Sequence, residues 1–458
     1  MMISMSIKVI VALMSLIACA ESVHYQPTWE SLDSRPLPAW YDQSKIGIFI
    51  HWGVFSVPSY GSEWFWWYWQ GSKPYPNYAQ FVRDNYKPDW TYADFARDFT
   101  AEFYNPDQWA EIFNASGARY VVQVTKHHEG FTSWPSKYSW NWNAGSVGPH
   151  RDLVGELATA IRKKTSLHYG VYHSLFEWFN PLYLQDKANN FKTQDFVTTK
   201  TMPELYELVN RYKPDLIWSD GPLGAPDTYW QSKEFLTWLY NDSPVKDKVV
   251  VNDRWGNNTI CRHGGFLTCT DRYNPKTLQK RKFEDALTIY GSSWGFVRNA
   301  QLSGYLPVET LITAIVQTVS CGGNVLINVG PTKEGTITPI YEERLRQMGS
   351  WLKVNGDAIY GTKPWRKQND TTNSDVWYTT RSDTPHVVYA MSLKWPQGQL
   401  VLGAPMVNSQ TSVRLLGYDK PFNWTAPASV GMVIDIPTLS VNDIPCLWAW
   451  VFELRNVF

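Results

Sequence analysis

Between residues 46 and 329, short apolar or β-branched runs alternate with stretches whose apolar residues recur at helical spacing. Residues 46–50 read as a strand that ends in His51-Trp52-Gly53. Residues 105–116 read as a helix, and residues 120–124 as a strand that ends in Lys126-His127-His128-Glu129-Gly130. A helix over 152–164 precedes a strand over 168–172 that ends in His173-Ser174. Residues 202–211 are helical and lead into Leu216-Ile217, which stops abruptly at Trp218-Ser219-Asp220-Gly221. A helix over 229–240 and a strand over 249–251, ending in Asn252-Asp253-Arg254, come next. In 308–320, Leu311, Ile315 and Val319 share a helical face, Gly322-Gly323 stops it, and 324–329 is a last strand. The alternation predicts parallel strands joined by helical crossovers.

A helix over 340–353 closes this part. From about Trp365 the pattern changes to short alternating strands over 376–379, 387–393, 400–402, 413–416, 432–436 and 447–454. The predicted architecture is a (β/α)8-like (TIM) barrel over 21–364 and a C-terminal β-sandwich over 365–458, after a leader over 1–20. A doubly wound sheet is the main rival, but no glycine-rich phosphate loop follows the first strand. In a barrel, residues just past the carboxyl ends of the strands face one mouth. His51, His127, His128, His173, Asp220 and Arg254 all fall at such ends. Any one of them could be a buried ring, a cap or a turn residue; their repeated coincidence with strand ends points to a site.

Lys8 precedes an apolar run over 9–20 that closes in Ala18-Cys19-Ala20, the pattern of a secretory signal, and the run is too short to span a bilayer. The expected mature chain starts near Glu21 and enters the secretory pathway, to be secreted or lysosomal, with no membrane segment. The whole chain has 42 basic and 42 acidic residues, and removing Lys8 with the leader leaves 41 against 42, so there is no electrostatic case for nucleic acid. In an oxidising compartment Cys261 and Cys269 are close enough in sequence to clamp a short loop, and a disulfide is predicted there. Sequons at Asn114, Asn241, Asn257, Asn369 and Asn423 are expected to place those asparagines on the surface. Tryptophan is unusually abundant, at 25 of 458 residues. Most indoles pack a core, but some can stack on the apolar face of a sugar, and Glu63-Trp64-Phe65-Trp66-Trp67-Tyr68-Trp69 needs buried or ligand-bound surroundings. His127 and His128 are adjacent, which on a strand sends them to opposite faces, so no metal site is expected.

These residues carry a resemblance. The chain from about Trp40 onward resembles the α-L-fucosidase family of retaining glycoside hydrolases, its animal members in particular. The matching pieces are Ile48-Phe49-Ile50-His51-Trp52-Gly53, Ser62-Glu63-Trp64, Thr125-Lys126-His127-His128-Glu129-Gly130-Phe131, Trp218-Ser219-Asp220-Gly221, Val251-Asn252-Asp253-Arg254-Trp255-Gly256, Ser293-Trp294-Gly295 and the run over 323–331. The resemblance implies a barrel, a C-terminal β-sandwich and release of terminal α-linked L-fucose from fucosylated glycans without a cofactor. It implies Asp220 as nucleophile, with His51, Glu63, Trp64, His127, His128, Tyr172, Trp218, Arg254 and, more loosely, Trp294 around the sugar. A homo-oligomer stays open.

The family signature Pro-x-x-Leu-x-x-x-Lys-Trp-Glu-x-Cys is matched by Pro275, Leu278, Lys282 and Glu284, but Phe283 replaces its Trp and Ala286 its Cys. This departure motivates the alternative of a fucose-binding, lectin-like relative without turnover; the intact nucleophile and pocket residues favour the enzyme. Glycosidic cleavage needs a carboxylic acid besides the nucleophile. Asp271 and Glu284 match acidic positions of animal family members. Asp271 is preferred because it follows the apolar-leaning run 266–270 and can stand at a strand end, although a salt bridge to Arg272 would also explain it. Glu284 lies in the charged stretch 280–285, which reads as a solvated loop.

Overall fold

The computed structural model describes residues 23–384, 386–428 and 431–458, so the expected leader lies outside the described residues. Seven parallel strands, β1 (Ile46–Ile50), β2 (Tyr120–Lys126), β3 (His168–Ser174), β4 (Leu216–Asp220), β5 (Val250–Val251), β6 (Glu284–Thr288) and β7 (Asn324–Val329), lie in the order β5-β4-β3-β2-β1-β7-β6. The two edges meet through residues 265–268, of which Leu267 bridges Phe283. There the N–H groups of Gly265 and Phe266 donate to Val251 O at 3.0 and 3.2 Å, and Leu267 N–H donates to Lys282 O at 2.9 Å. Glu284 N–H in turn donates to Leu267 O at 2.8 Å. This short piece stands in the place of an eighth strand and closes the sheet into a barrel. No helix joins it to β5. The chain turns through 252–264 instead, and Cys261 and Cys269 are joined by a disulfide across that turn.

Helices Pro106–Ala115, Leu153–Lys164, Met202–Tyr212, Val308–Ser320 and Pro339–Asn355 cover the barrel and coincide closely with the periodic segments of the sequence. The expected single helix over 229–240 is two, Asp227–Trp230 and Ser232–Asn241, broken at Gln231 with φ 54°. The break lets Trp230 Nε1 donate to Gly221 O at 3.2 Å while Ser232 Oγ donates to Trp255 O at 2.6 Å, contacts that one straight helix would not reach together.

The C-terminal part is two packed antiparallel sheets. One contains β8 (Thr362–Asn369), β9 (Val376–Arg381), β10 (Val387–Ser392), β12 (Ser412–Leu415) and β15 (Trp450–Arg455); the other contains β11 (Gln399–Leu402), β13 (Trp424–Thr425) and β14 (Met432–Asp435). Tyr378, Val388 and Phe452 fill the space between the sheets with Leu402 and Ile434. Alternate residues of the larger sheet, among them Trp377, Tyr389 and Val451, face the barrel's core instead. Strand β8 has no apolar alternation and carries Pro364, which an edge strand tolerates, so its sequence does not announce it.

Two of the five sequons depart from the expected surface placement. Asn114, Asn257 and Asn423 are exposed, whereas Asn241 and Asn369 are half-buried. Asn369 Nδ2 donates to both Ser374 O and Val376 O, at 3.0 and 2.8 Å, and Asn241 is bonded through both amide atoms to the Tyr25 backbone.

Inside the barrel, Phe49, Tyr120, Val122, Trp218 and Leu326 form a compact apolar layer that includes Ala286. Glu284 is buried here and not on a solvated loop, a correction that follows from pairing: its strand runs between 265–268 and β7. Its carboxylate accepts from Tyr120 Oη at 2.6 Å, Tyr41 Oη at 2.8 Å and Trp218 Nε1 at 3.0 Å. Tyr120 fits because residue 47 is glycine; a Cβ there would stand 2.3 Å from the Tyr120 ring. Burial outweighs these donors and pushes the Glu284 carboxyl up to about 7.

A carboxyl that keeps its proton to higher pH when folded contributes stability below its unfolded pKa, and that contribution is lost as pH rises towards the folded value. For Glu284 the window runs from the ordinary carboxylate range, near 4.5, to about 7, and a shift of this size corresponds to roughly 3 kcal/mol. Glu284→Gln, which mimics the protonated form, should therefore flatten the fall of Tm between these pH values relative to wild type. Parallel Tm curves for the two proteins would show that Glu284 is ionised throughout.

Candidate active site

The carboxyl ends of β1 to β5 converge on one cavity of about 190 Å³. It is lined by His51, Glu63, Trp64, His127, His128, Tyr172, Trp218, Asp220, Arg254, Asp271 and Trp294, which is every residue the sequence put forward except His173 and Glu284. His173 is the outward neighbour of Tyr172 on β3 and points away from the mouth, fully buried 3.5 Å from Glu204. Strand alternation sends only one of the two inward. The adjacent His127 and His128 escape that alternation because β2 ends at Lys126 after a register shift, and their rings pack 4.1 Å apart. Glu284 lies a layer below, with Trp218 between it and the cavity.

Asp220 is the last residue of β4. Its Oδ2 accepts from Tyr172 Oη at 2.8 Å, and its Oδ1 accepts from Arg254 Nη1 at 3.4 Å. Burial nevertheless dominates and raises its carboxyl above the usual range, against the pull of Arg254 and Tyr172. Arg254 also stacks 4.6 Å above the Trp218 ring, donates from Nε to Thr268 Oγ1 at 2.8 Å and from Nη2 to Asp271 Oδ1 at 2.6 Å. The partner of Asp271 is thus Arg254, not the neighbouring Arg272, whose Nη2 donates to Thr288 Oγ1 and Gly291 O. Asp271 is the most open of the three, with 42 % of its side chain exposed.

The histidines are held in defined tautomers by residues the sequence reading did not single out. Asn328 Nδ2 donates to Trp294 O at 2.6 Å, which leaves Asn328 Oδ1 to accept from His51 Nδ1 at 2.7 Å. Ser174 Oγ donates to Phe176 O, so it accepts from His128 Nδ1 at 2.7 Å. Both rings therefore turn Nε2 outward as an acceptor, and burial lowers both well below the ordinary histidine range, so they are neutral. Glu63 Oε2 accepts from Ser293 Oγ at 3.0 Å, from Trp294 N–H at 2.9 Å and from Gly295 N–H at 3.3 Å, which clamps the Trp294 loop over the mouth. The signals for Asn328 were its place in the matching run 323–331 and its position inside the last barrel strand, where an apolar residue is the norm.

Among the described residues no group of three or more His, Cys, Asp and Glu side chains could hold a metal ion. The arrangement offers three carboxylates, a guanidinium between two of them, neutral imidazole acceptors and an aromatic wall around a space the size of one sugar ring.

The α-L-fucosidase family model matches residues 12–357, and the model of the α-L-fucosidase C-terminal domain matches residues 368–455. The chain belongs to the α-L-fucosidase family. It is 58 % identical to the α-L-fucosidase of Branchiostoma floridae over 446 residues, covering 97 % of this chain and 99 % of that one. It is 57 % identical to the human plasma α-L-fucosidase over 438 residues, 95 % of this chain and 93 % of the relative. The crystal structure of Thermotoga maritima α-fucosidase in complex with fucose superposes with a TM-score of 0.79 at 32 % identity, covering 94 % of this chain and all of that one. Membership makes this chain a glycoside hydrolase with a barrel and a C-terminal β-domain, and nothing among these relatives favours a lectin. Phe283 and Ala286, the two departures from the fucosidase signature, are core residues outside the cavity, so neither change removes a group that could touch substrate.

Proposed function

We propose that the enzyme releases terminal α-L-fucose from glycans by double displacement, with Asp220 as nucleophile and Asp271 as general acid and base. The observation that carries this reading is that a single cavity contains both carboxylates, bridged by Arg254, while Glu284 is walled off beneath Trp218. Asp220 attacks the anomeric carbon as Asp271 protonates the leaving oxygen, and Asp271 then activates the water that hydrolyses the glycosyl ester. The neutral Nε2 atoms of His51 and His128 accept sugar hydroxyls, Glu63, His127, Tyr172 and Arg254 supply the remaining polar partners, and Trp64, Trp218 and Trp294 shape the apolar wall for the deoxy methyl group. The Arg254 to Asp271 contact must part for proton delivery, and the exposure of Asp271 gives it room to move. The similarity to a plasma fucosidase supports passage through the secretory pathway to a secreted or lysosomal destination.

Asp220→Gly should abolish turnover, and added azide should restore part of it by filling the vacated space as an external nucleophile. Near-normal activity without azide would remove Asp220 from the role. Because Asp220 must be ionised and burial raises its carboxyl, the acid limb of kcat/KM in the free enzyme should lie above about pH 4, the ordinary aspartate range, with activity lost as pH falls through it.

The first product formed should retain the α configuration, which NMR recorded during the first turnovers can read. An initial β-fucose signal would demand an inverting pair.

Asp271→Ala should slow hydrolysis of substrates with poor leaving groups by about 10² to 10⁴-fold and that of activated aryl fucosides far less. Glu284→Gln should change both by a similar, smaller factor, since it acts only through the seating of Trp218. The reverse pattern would transfer the acid role to Glu284.

A further inference from the structure

A second and larger cleft, of about 1030 Å³, lies at the opposite end of the barrel. Lys45 stands just before β1, Arg119 just before β2 and Lys282 just before β6, so this is the amino-terminal mouth, whereas Asp220 ends β4 at the other. The cleft is walled on its far side by Tyr360, just before the C-terminal sheets, by Lys363 of β8 and by Arg381 at the end of β9. Six Lys or Arg side chains line it against two Asp, a strong local excess in a chain with equal numbers of acidic and basic residues.

Two of the six are answered locally. Arg381 pairs with Asp383 at 2.7 Å, and Arg281 donates to the carbonyls of Arg262 and Gly264. The rest are not. Asp42 alone receives Lys45 at 3.0 Å and Lys282 at 2.9 Å on the same oxygen, and Lys363 on the other. Three ammonium groups on one carboxylate leave two positive charges without a counter-charge. The side chains of Lys45 and Lys282 are only 1 % and 7 % exposed. Burial lowers the affinity of both for their protons despite Asp42, which signals that one carboxylate does not offset the cost of burying them. Among the described residues Arg119 and Lys280, both exposed, have no carboxylate within 4.0 Å, and the Arg119 guanidinium is parked 4.4 Å over the Tyr360 ring.

We propose that this cleft is a binding site for a sulfate or phosphate group, separate from the fucose-cleaving site, with Lys282, Lys363, Lys280 and Arg119 as its cations. A tetrahedral oxyanion brings several acceptor oxygens, so it can serve donors of different lysines that Asp42 cannot satisfy together, and it supplies the missing negative charge. The cleft's volume also leaves room for the molecule that carries the group, with the Trp40 and Tyr360 rings as apolar walls. Elsewhere on this face one carboxylate serves at most two cations, as Asp215 does for His168 and Lys248, whereas Asp42 faces three.

The test is titration calorimetry of the full chain with three probes: inorganic phosphate, a heparin-derived tetrasaccharide and the same tetrasaccharide stripped of sulfate. Wild type should bind the first two and not the third, and binding should weaken as salt rises from about 50 to about 300 mM, as screening demands. Lys280→Glu/Lys363→Glu and, separately, Arg119→Gln alter exposed positions; the double charge reversal should weaken binding by about tenfold or more. Fucoside hydrolysis by both variants should match wild type, which checks that they fold. A tetrasaccharide bound much more tightly than phosphate assigns the group to a sugar-borne ester; equal affinities assign it to the free ion. Absence of binding by wild type, equal binding of the stripped sugar, or binding that the variants leave unchanged would overturn the site.

Discussion

Arg254 is the group on which the active site depends, because a guanidinium buried to this degree must be answered on every side. Its two terminal nitrogens reach Asp220 and Asp271, its Nε is held by Thr268, and its face lies on Trp218. The partners come from two segments, Trp218 and Asp220 from β4 and Thr268 and Asp271 from the piece that closes the barrel and the residues just after it. Thr268 is positioned in turn by donating to Asp253 Oδ1 at 2.6 Å, while Asp253 Oδ2 accepts from the N–H groups of Cys261 and Cys269. The disulfide loop therefore holds the arginine at one remove, although neither sulfur lies in the cavity. The same short piece that closes the sheet also carries Thr268 and leads on to Asp271, so barrel closure and the seating of Arg254 share one segment.

A second constraint lies behind the histidines. Lys126 Nζ sits 3.0 Å from Glu177 and 2.9 Å from Glu204, and Lys200 Nζ sits 3.1 and 2.8 Å from the same two carboxylates. Against the burial that would raise it, Lys200 and Lys126 hold the Glu177 carboxyl below its usual value. Two cations on two anions balance, and breaking such a set by removing one member leaves a buried charge at a cost of roughly 3 to 5 kcal/mol. The network anchors the end of β2 just before His127 and the loop that contains Trp178, both of which flank the cavity. Gly130, with φ 83°, then lets the chain turn sharply where a Cβ would stand 2.6 Å from Glu177.

The barrel and most of its site were legible because their signals are local. Strand runs end in polar residues at β1, β2, β4 and β5, and later the helix over 308–320 and the strand over 324–329 match the expected bounds to the residue. What stayed hidden depended on pairing at a distance. Glu284 looks solvated in its charged stretch until the 265–268 segment and β7 are placed on either side of it. His173 looks like a mouth residue until alternation on β3 is phased by Tyr172 facing in. Asn328 sits inside the matching run 323–331 and Ser174 at a strand end, but neither is marked for its role, which is only to fix which nitrogen of a neighbouring ring bears the proton. The sequons at Asn241 and Asn369 fit the tripeptide rule, but their amides are bonded to backbone brought from elsewhere.

The two mouths of the barrel solve opposite electrostatic problems with the same scaffold. At the carboxyl mouth the one arginine is answered by two carboxylates, and burial lowers His51 and His128 far enough to keep them neutral. A neutral sugar suits that surface, because uncharged acceptors meet its hydroxyls without the desolvation cost of an ion. At the amino mouth the imbalance is large and partly buried, with Lys45 and Lys282 forced onto one oxygen of Asp42. Equal totals of acidic and basic residues describe neither end. Net charge constrains partners only when charge is spread evenly, and folding here gathers the amino ends of β1, β2 and β6 into a single cleft, concentrating cations that are far apart in sequence.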